Sequence, residues 1–182
     1  MITIVVRDEP RPQGSKRAFA LRKGGAPTGR AVVVDDNKPE LRNWRESVRS
    51  ETQRAMDGQA PLEGPVVLAV TFTVPKPQSA PKRKRTWPCK KPDLDKLLRG
   101  VCDGLKAGGA YRDDAQVVEI LRLGKFYPAD AERVLLSAAD YSMVSHMLKL
   151  AGSPFDVLNS PGAVIRVASI YDFPGVNGDG QD

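Results

Sequence analysis

The sequence predicts an α/β (α+β) domain, a mixed β-sheet with two main helices packed on it. Three observations carry this. Runs rich in β-branched and aliphatic residues recur at Ile2–Val6, Val66–Val74, Gln116–Phe126 and Glu132–Ala138. Two stretches among them repeat apolar residues at helical spacing instead. With 182 residues, 41% of them hydrophobic and 27% charged, the chain has the size and composition of one globular domain with a core of its own. The implied order is β-α-β-α-β-β.

Each element has its own warrant. Ile2–Val6 reads as a first strand ended by Arg7 and Asp8. Pro10 to Val34 contains no acid but six bases, Arg11, Lys16, Arg17, Arg22, Lys23 and Arg30. Four glycines and three prolines lie in the same span, which reads as a long basic loop. Asp36 to Glu40 supplies cap-like residues and a proline for a helix start. Leu41, Trp44, Val48, Thr52 and Ala55 then recur at helical spacing until Gly58. Val66–Val74 is a strand closed by Pro75 and Pro77. Pro75 to Pro92 carries five prolines and seven bases, too much proline for a packed element, and reads as an exposed basic arm.

A second helix is expected from Asp93 to Lys106, ended by Gly108-Gly109. Leu94, Leu97, Leu98, Val101 and Leu105 form its core-facing stripe, while Asp95, Arg99, Asp103 and Lys106 share a polar face. Gln116–Phe126 is the next strand, with Glu132–Ala138 as its hairpin partner across Pro128-Ala129-Asp130. Residues 1–140 read as the domain and 141–182 as a C-terminal extension, disordered in part. Within the extension, Tyr141–Leu150 has helical spacing and Ala163–Ile170 strand character.

Composition narrows the function. The net charge is +6 and the pI about 9.4, which favours a polyanionic partner. Two cysteines and one histidine exclude a zinc pattern and suggest no disulfide framework, so a reducing cytoplasm is the simplest compartment. The N-terminal MITIVVRDEP reads as a strand rather than a signal peptide. No apolar run approaches the roughly 18 residues needed to cross a bilayer.

The acids are more specific. No acid occurs between Glu63 and Asp93; then Asp93 and Asp95 lie two apart, and Asp113 and Asp114 are adjacent. Carboxylates cluster against their mutual repulsion chiefly where a cation sits between them. Two helical steps would put Asp93 about 160° from Asp95. Placed at the N-cap instead, Asp93 can lean toward Asp95. Taken singly, each acid also has a structural reading: Asp93 as a cap, Asp95 with Arg99 as an i, i+4 pair, and Asp113-Asp114 as a turn before a strand.

KPDLDKLLRGVCDGL followed by YRDDAQVV resembles the signature of the RusA family of Holliday-junction resolvases, endodeoxyribonucleases often found in phages and prophages. That signature runs Asp-x-Asp-Asn-Leu-x-Lys, then Asp-Ala-Leu or similar, then Asp-Asp-x-Gln-Val or Ile. The likeness is close over about residues 91–118, and PQGSKRAF (Pro12–Phe19) also resembles the family's basic N-terminal segment. It implies a RusA-like fold over residues 1–140, with Asp93, Asp95 and Asp114 as metal-binding catalytic carboxylates and Asp113 as an adjacent acid. The family's lysine falls on Arg99 and its asparagine on Lys96. Arg99 keeps the positive charge and can grip a phosphate through two hydrogen bonds, but it cannot donate a proton as lysine can.

The expectation is Mg²⁺-dependent cleavage (with Mn²⁺ as substitute) of four-way DNA junctions by paired nicks, in recombination and repair. Arg99 would offset charge on the reacting phosphate. Lys16, Arg17, Lys82, Arg83, Lys84, Arg85, Lys90, Lys91 and Lys96 would contact DNA phosphates. Trp87 is a candidate to stack at an opened base step, or else an ordinary packing residue. The two-fold symmetry of a junction suggests a homodimer, working in the cytoplasm, that of the bacterial host if the chain is phage-encoded. Rival readings are a flap or broader branched-DNA nuclease, a branched-DNA binder that does not cut, and a basic RNA-associated protein. The last would need no clustered acids.

Overall fold

In a computed structural model of the chain, residues 1–14, 17–24, 26–34, 39–81, 86–128 and 156–173 are described. The main sheet has four strands: β1 (Ile2–Val6), β4 (Val66–Thr73), β5 (Val117–Phe126) and β6 (Gly162–Ser169), in the order β1-β6-β4-β5. β6 runs antiparallel to both β1 and β4, whereas β4 and β5 are parallel. The sheet is therefore mixed, as expected. A parallel pair requires a crossover, and α2 (Leu94–Gly108) lies in the connection between β4 and β5. α1 (Pro39–Met56) precedes β4 and packs beside α2.

Two expectations are corrected. The basic stretch Pro10–Val34 is not one long loop. Its second part forms a hairpin, β2 (Arg17–Lys23) with β3 (Ala26–Val34), paired from Arg17↔Val34 to Lys23↔Ala26 as a separate two-stranded sheet. The AFAL and AVVV runs that flank Gly24 and Gly25 supply the β character, and Gly24 turns with φ +62°. Glycine, proline and charge density had outweighed those runs. The second concerns strand order. Residues 162–169 fall beyond the expected boundary at residue 140, yet they supply the strand that joins β1 to β4. The expected strand Glu132–Ala138, helix Tyr141–Leu150 and end 175–182 lie outside the described residues.

The core forms on one face of the sheet. Ile4, Val6, Val66, Leu68, Val70, Phe72, Ile165 and Val167 meet Leu41, Trp44 and Val48 of α1 and Leu97, Val101 and Leu105 of α2. Leu94 and Leu98, the rest of the expected stripe, pack against this core while partly exposed. All eight residues of β4 are buried, which fits its largely apolar sequence, broken only by Thr71 and Thr73.

The two helices approach unusually closely because α2 presents glycine to α1. Gly100, Gly104 and Gly108 recur every four residues and face Trp44, Val48 and Thr52, which recur at the same interval. A Cβ on Gly104 would stand 2.6 Å from the Val48 Cβ, and one on Gly108 2.5 Å from the Thr52 Cβ. Arg45 and Asp103 close the contact with an ion pair of 3.1 Å. Gly104→Ala is expected to lower stability by about 1–3 kcal/mol, the usual cost of overpacking, with Val48→Ala added in the same chain restoring part of it. Urea unfolding of both variants measures this, and an unchanged midpoint for Gly104→Ala would refute the close approach.

Candidate active site and nucleic-acid interface

The acids follow from α2 and the turn after it. Asp93 is the N-cap residue, with extended backbone (φ −73°, ψ 140°) and no capping hydrogen bond from its side chain. Its carboxylate instead pairs with Lys96, 3.0 Å away. The hydrogen bond and charge of Lys96, aided by Lys91 and Lys125, hold the Asp93 carboxyl below the usual carboxylate range. Asp95 lies in the first turn and Arg99 one turn on, both exposed. No ion pair joins them, and among the described residues neither makes one with any other group. The i, i+4 pairing considered for them does not form.

The segment leading into Asp93 is fastened to the sheet by a residue that sequence reasoning missed. Lys125, on β5, donates hydrogen bonds from Nζ to the carbonyl oxygens of Lys90 (2.9 Å) and Pro92 (2.7 Å). No periodicity marks Lys125, since a lysine in a strand ordinarily points to solvent. On the other side the Gln13 amide donates to the Lys96 carbonyl at 2.9 Å. The basic N-terminal segment thus runs along the first half of α2.

At the far end, Gly109 closes α2 in the left-handed conformation (φ 84°), and Leu62 and Tyr111 form a bridge below it. Asp113 caps the short 3₁₀ turn Asp114–Gln116 in a reciprocal arrangement. Its Oδ1 accepts from the Ala115 amide at 3.0 Å, and the Gln116 Oε1 accepts from the Asp113 amide at 3.0 Å. Lys106 reaches the other Asp113 oxygen at 2.6 Å, and this bond above all lowers the Asp113 pKa. Asp114 is different. One of its oxygens, Oδ1, is buried without a hydrogen-bond partner. Burial raises its pKa, the charge of Asp103 raises it further, and Lys106 opposes both. Beneath it, burial pushes the Cys102 thiol up to about 11 and raises the Tyr111 hydroxyl as well.

The structure therefore sorts the expected residues into two groups. Asp93, Asp95, Lys96 and Arg99 gather around the start of α2, while Asp103, Lys106, Asp113 and Asp114 gather around its later turns. The acid whose charge acts most on Asp114 is Asp103, which the sequence left as a helix-face residue eight positions from Asp95. Among the described residues no group of three or more His, Cys, Asp or Glu side chains stands close enough to hold a metal ion. The donors have the right chemistry for a hard cation, all being carboxylate oxygens, but in this arrangement they do not form a cage.

Of the residues expected at DNA, Lys16, Lys82, Arg83, Lys84 and Arg85 lie outside the described residues. Arg17 opens β2. Lys90 and Lys91 are exposed at the end of the arm, and Lys96 is engaged by Asp93. Cys89 and Cys102 are both free thiols. Among the described residues no helix is long and apolar enough to cross a membrane.

The fold is a mixed sheet whose crossover helix carries paired acids and exposed cations. Residues 9–136 match the family model described as Endodeoxyribonuclease RusA. The match covers more than half of the chain, which belongs to the RusA family of endodeoxyribonucleases, the crossover junction resolvases. Nucleases of this family depend in general on a divalent metal and act on branched DNA junctions. No curated protein matches the chain.

The electrostatics of the site can be read directly. Lys106→Met is expected to raise the Asp113 pKa toward its ordinary value, and Asp103→Asn to lower that of Asp114, because each removes the charge that displaces it. Carboxylate titration by NMR distinguishes the two signs. Movement of Asp114 upward in Asp103→Asn would contradict the placement of these two acids.

Proposed function

We propose that the chain is a Mg²⁺-dependent resolvase that cuts four-way DNA junctions by paired nicks, in recombination and repair. Family membership together with Asp93, Asp95 and Asp114 at their signature positions carries this reading. A divalent ion supplies Lewis acidity and an activated water in such chemistry. By their signature positions Asp93, Asp95 and Asp114 would be its ligands, with Mn²⁺ as substitute, although the described arrangement does not bring the three into one cage; Asp113, engaged by Ala115 and Lys106, would stand alongside as the residue that shapes the turn. The protein's own part is to position and neutralise. Arg99, exposed and without an ion pair among the described residues, is available to grip the scissile phosphate and offset charge developing on it. Lys90 and Lys91 neutralise flanking phosphates, joined by Lys16, Arg17, Lys82, Arg83, Lys84 and Arg85.

Lys96 takes a double part. Its ammonium pairs with the Asp93 carboxylate at 3.0 Å, where it would compete with a cation for that carboxylate and, if displaced, would be free to meet a DNA phosphate. A junction has two-fold symmetry, and a homodimer would present two sites to it. The compartment proposed is the cytoplasm, where branched DNA arises.

Asp93→Asn, Asp95→Asn and Asp114→Asn should each abolish cleavage of a labelled four-way junction while leaving junction binding intact. Any of the three cutting at the wild-type rate removes that residue from the site. Binding should fall steeply with salt, by several powers of ten between dilute and moderately concentrated buffer if six or more phosphates are contacted. Lys96→Gln is expected to tighten Mg²⁺ binding measured by calorimetry without DNA, and weaker binding would show that Lys96 supports the ion rather than competing with it.

A further inference from the structure

Lys125 lies at the end of β5, where a lysine ordinarily carries its ammonium out to water. Here the side chain is partly buried, and Nζ donates to the carbonyl oxygens of Lys90 at 2.9 Å and Pro92 at 2.7 Å. Those carbonyls are 35 and 33 residues away in sequence, just before the helix cap Asp93. An ammonium has three donors, so most of its hydrogen-bonding capacity goes to the backbone of one short segment.

The base of this contact is rigid. Lys125 stands opposite Phe72 in the parallel pairing of β5 with β4, and every residue of β4 is buried. One residue on, the Phe126 carbonyl accepts from the Val74 amide at 2.9 Å, so the strand end is held beyond the lysine as well. Across the helix start, the Gln13 amide donates to the Lys96 carbonyl at 2.9 Å. The first turn of α2 is therefore gripped from two sides, by the sheet through Lys125 and by the N-terminal segment through Gln13. That turn carries Asp93, Asp95 and Lys96, with Arg99 one turn on. Helix starts fray, because their first amides lack intrahelical partners, and the Asp93 side chain makes no capping hydrogen bond to hold this one. The fastening that a cap would give comes from Lys125 instead.

We propose that Lys125 is a positioning residue for DNA cleavage: it fixes the start of α2 to the end of β5, so that Asp93, Asp95 and Arg99 face the DNA in one arrangement. The inference rests on the reading that places those residues at the reacting phosphate, and it adds a group that lies outside the signature stretch. Its effect is on geometry. An ammonium spent on two carbonyls has little to offer a phosphate, whereas a displacement of about 1 Å at the reacting groups lowers a rate about 100-fold.

The test compares the full wild-type chain with Lys125→Met, which keeps an unbranched side chain but cannot donate, and Lys125→Arg, which can still donate to two carbonyls. Lys125→Met should cut a labelled four-way junction about 100-fold more slowly at saturating protein, while binding the junction in EDTA as the wild type does. Without DNA or metal, hydrogen exchange at the Leu97, Leu98 and Arg99 amides should speed up, and exchange at Leu105 and Lys106 should not. Lys125→Arg should restore rate and protection together. Unchanged cutting, a loss taken entirely in junction binding, or unchanged exchange at Leu97 to Arg99 would each overturn the proposal. So would faster exchange along the whole helix, the mark of a general loss of stability, or an arginine variant that regains protection and stays slow. The two readings fail separately. A wild type that cuts flaps in place of four-way junctions sinks the resolvase reading alone, and the rate comparison is then made on the flap. Junctions resolved at the wild-type rate by Lys125→Met sink the positioning role alone.

Discussion

The arrangement of the site depends on the close approach of α2 to α1. A helix with larger side chains at 100, 104 and 108 would stand farther from α1, and its polar face would turn with it. With glycine at those three positions, α2 is held against Trp44, Val48 and Thr52, and its leucines are seated on the sheet. The face left outward bears Asp95, Arg99, Asp103 and Lys106. Apolar packing thus decides where the charges stand, since exposed ion pairs contribute little net stability and could not position a helix alone.

Charge within the site is balanced locally. Asp93 faces Lys96, Asp103 faces Arg45, and Asp113 faces Lys106. Asp95 and Asp114 have no such partner among the described residues, and one Asp114 oxygen is buried without a hydrogen bond. A carboxylate oxygen without a hydrogen bond in a half-buried position is costly, in keeping with the raised pKa of Asp114. Asp113, by contrast, spends its oxygens on the Ala115 amide and on Lys106. It builds the turn that carries Asp114 and has little left to offer a further ligand.

Much of this was legible in the sequence, and the failures have physical causes. Both helices, their apolar stripes, the Asp93 cap and the stop at Gly108-Gly109 followed from spacing, because helical periodicity and caps are local properties. The hairpin β2–β3 was hidden by glycine and charge density around its turn. Strand β6 was recognised from its own residues, but nothing local could place it between β1 and β4, since pairing across so long a separation depends on the fold as a whole. The same limit applied to the site. The cap position suggested that Asp93 could lean toward Asp95, and the family resemblance added Asp114 to them, whereas the structure sets Asp114 nearest in charge to Asp103 and gives the start of α2 its fastening through Lys125.

The two departures from the family signature gain meaning together. A lysine in place of asparagine at position 96 neutralises Asp93 within its own first turn, so this end of α2 carries less negative potential toward an approaching phosphate. An arginine in place of lysine at position 99 leaves a guanidinium one turn farther on, unpaired among the described residues and exposed. On the function proposed above, the first change would lower repulsion toward DNA but compete with a cation for Asp93, and the second would strengthen the grip on a phosphate while removing a proton donor. Both favour holding the DNA backbone over polarising it. On the function proposed above, protonation of the departing oxygen would then fall to water, and phosphate binding would depend chiefly on Arg99 and the lysines of the arm.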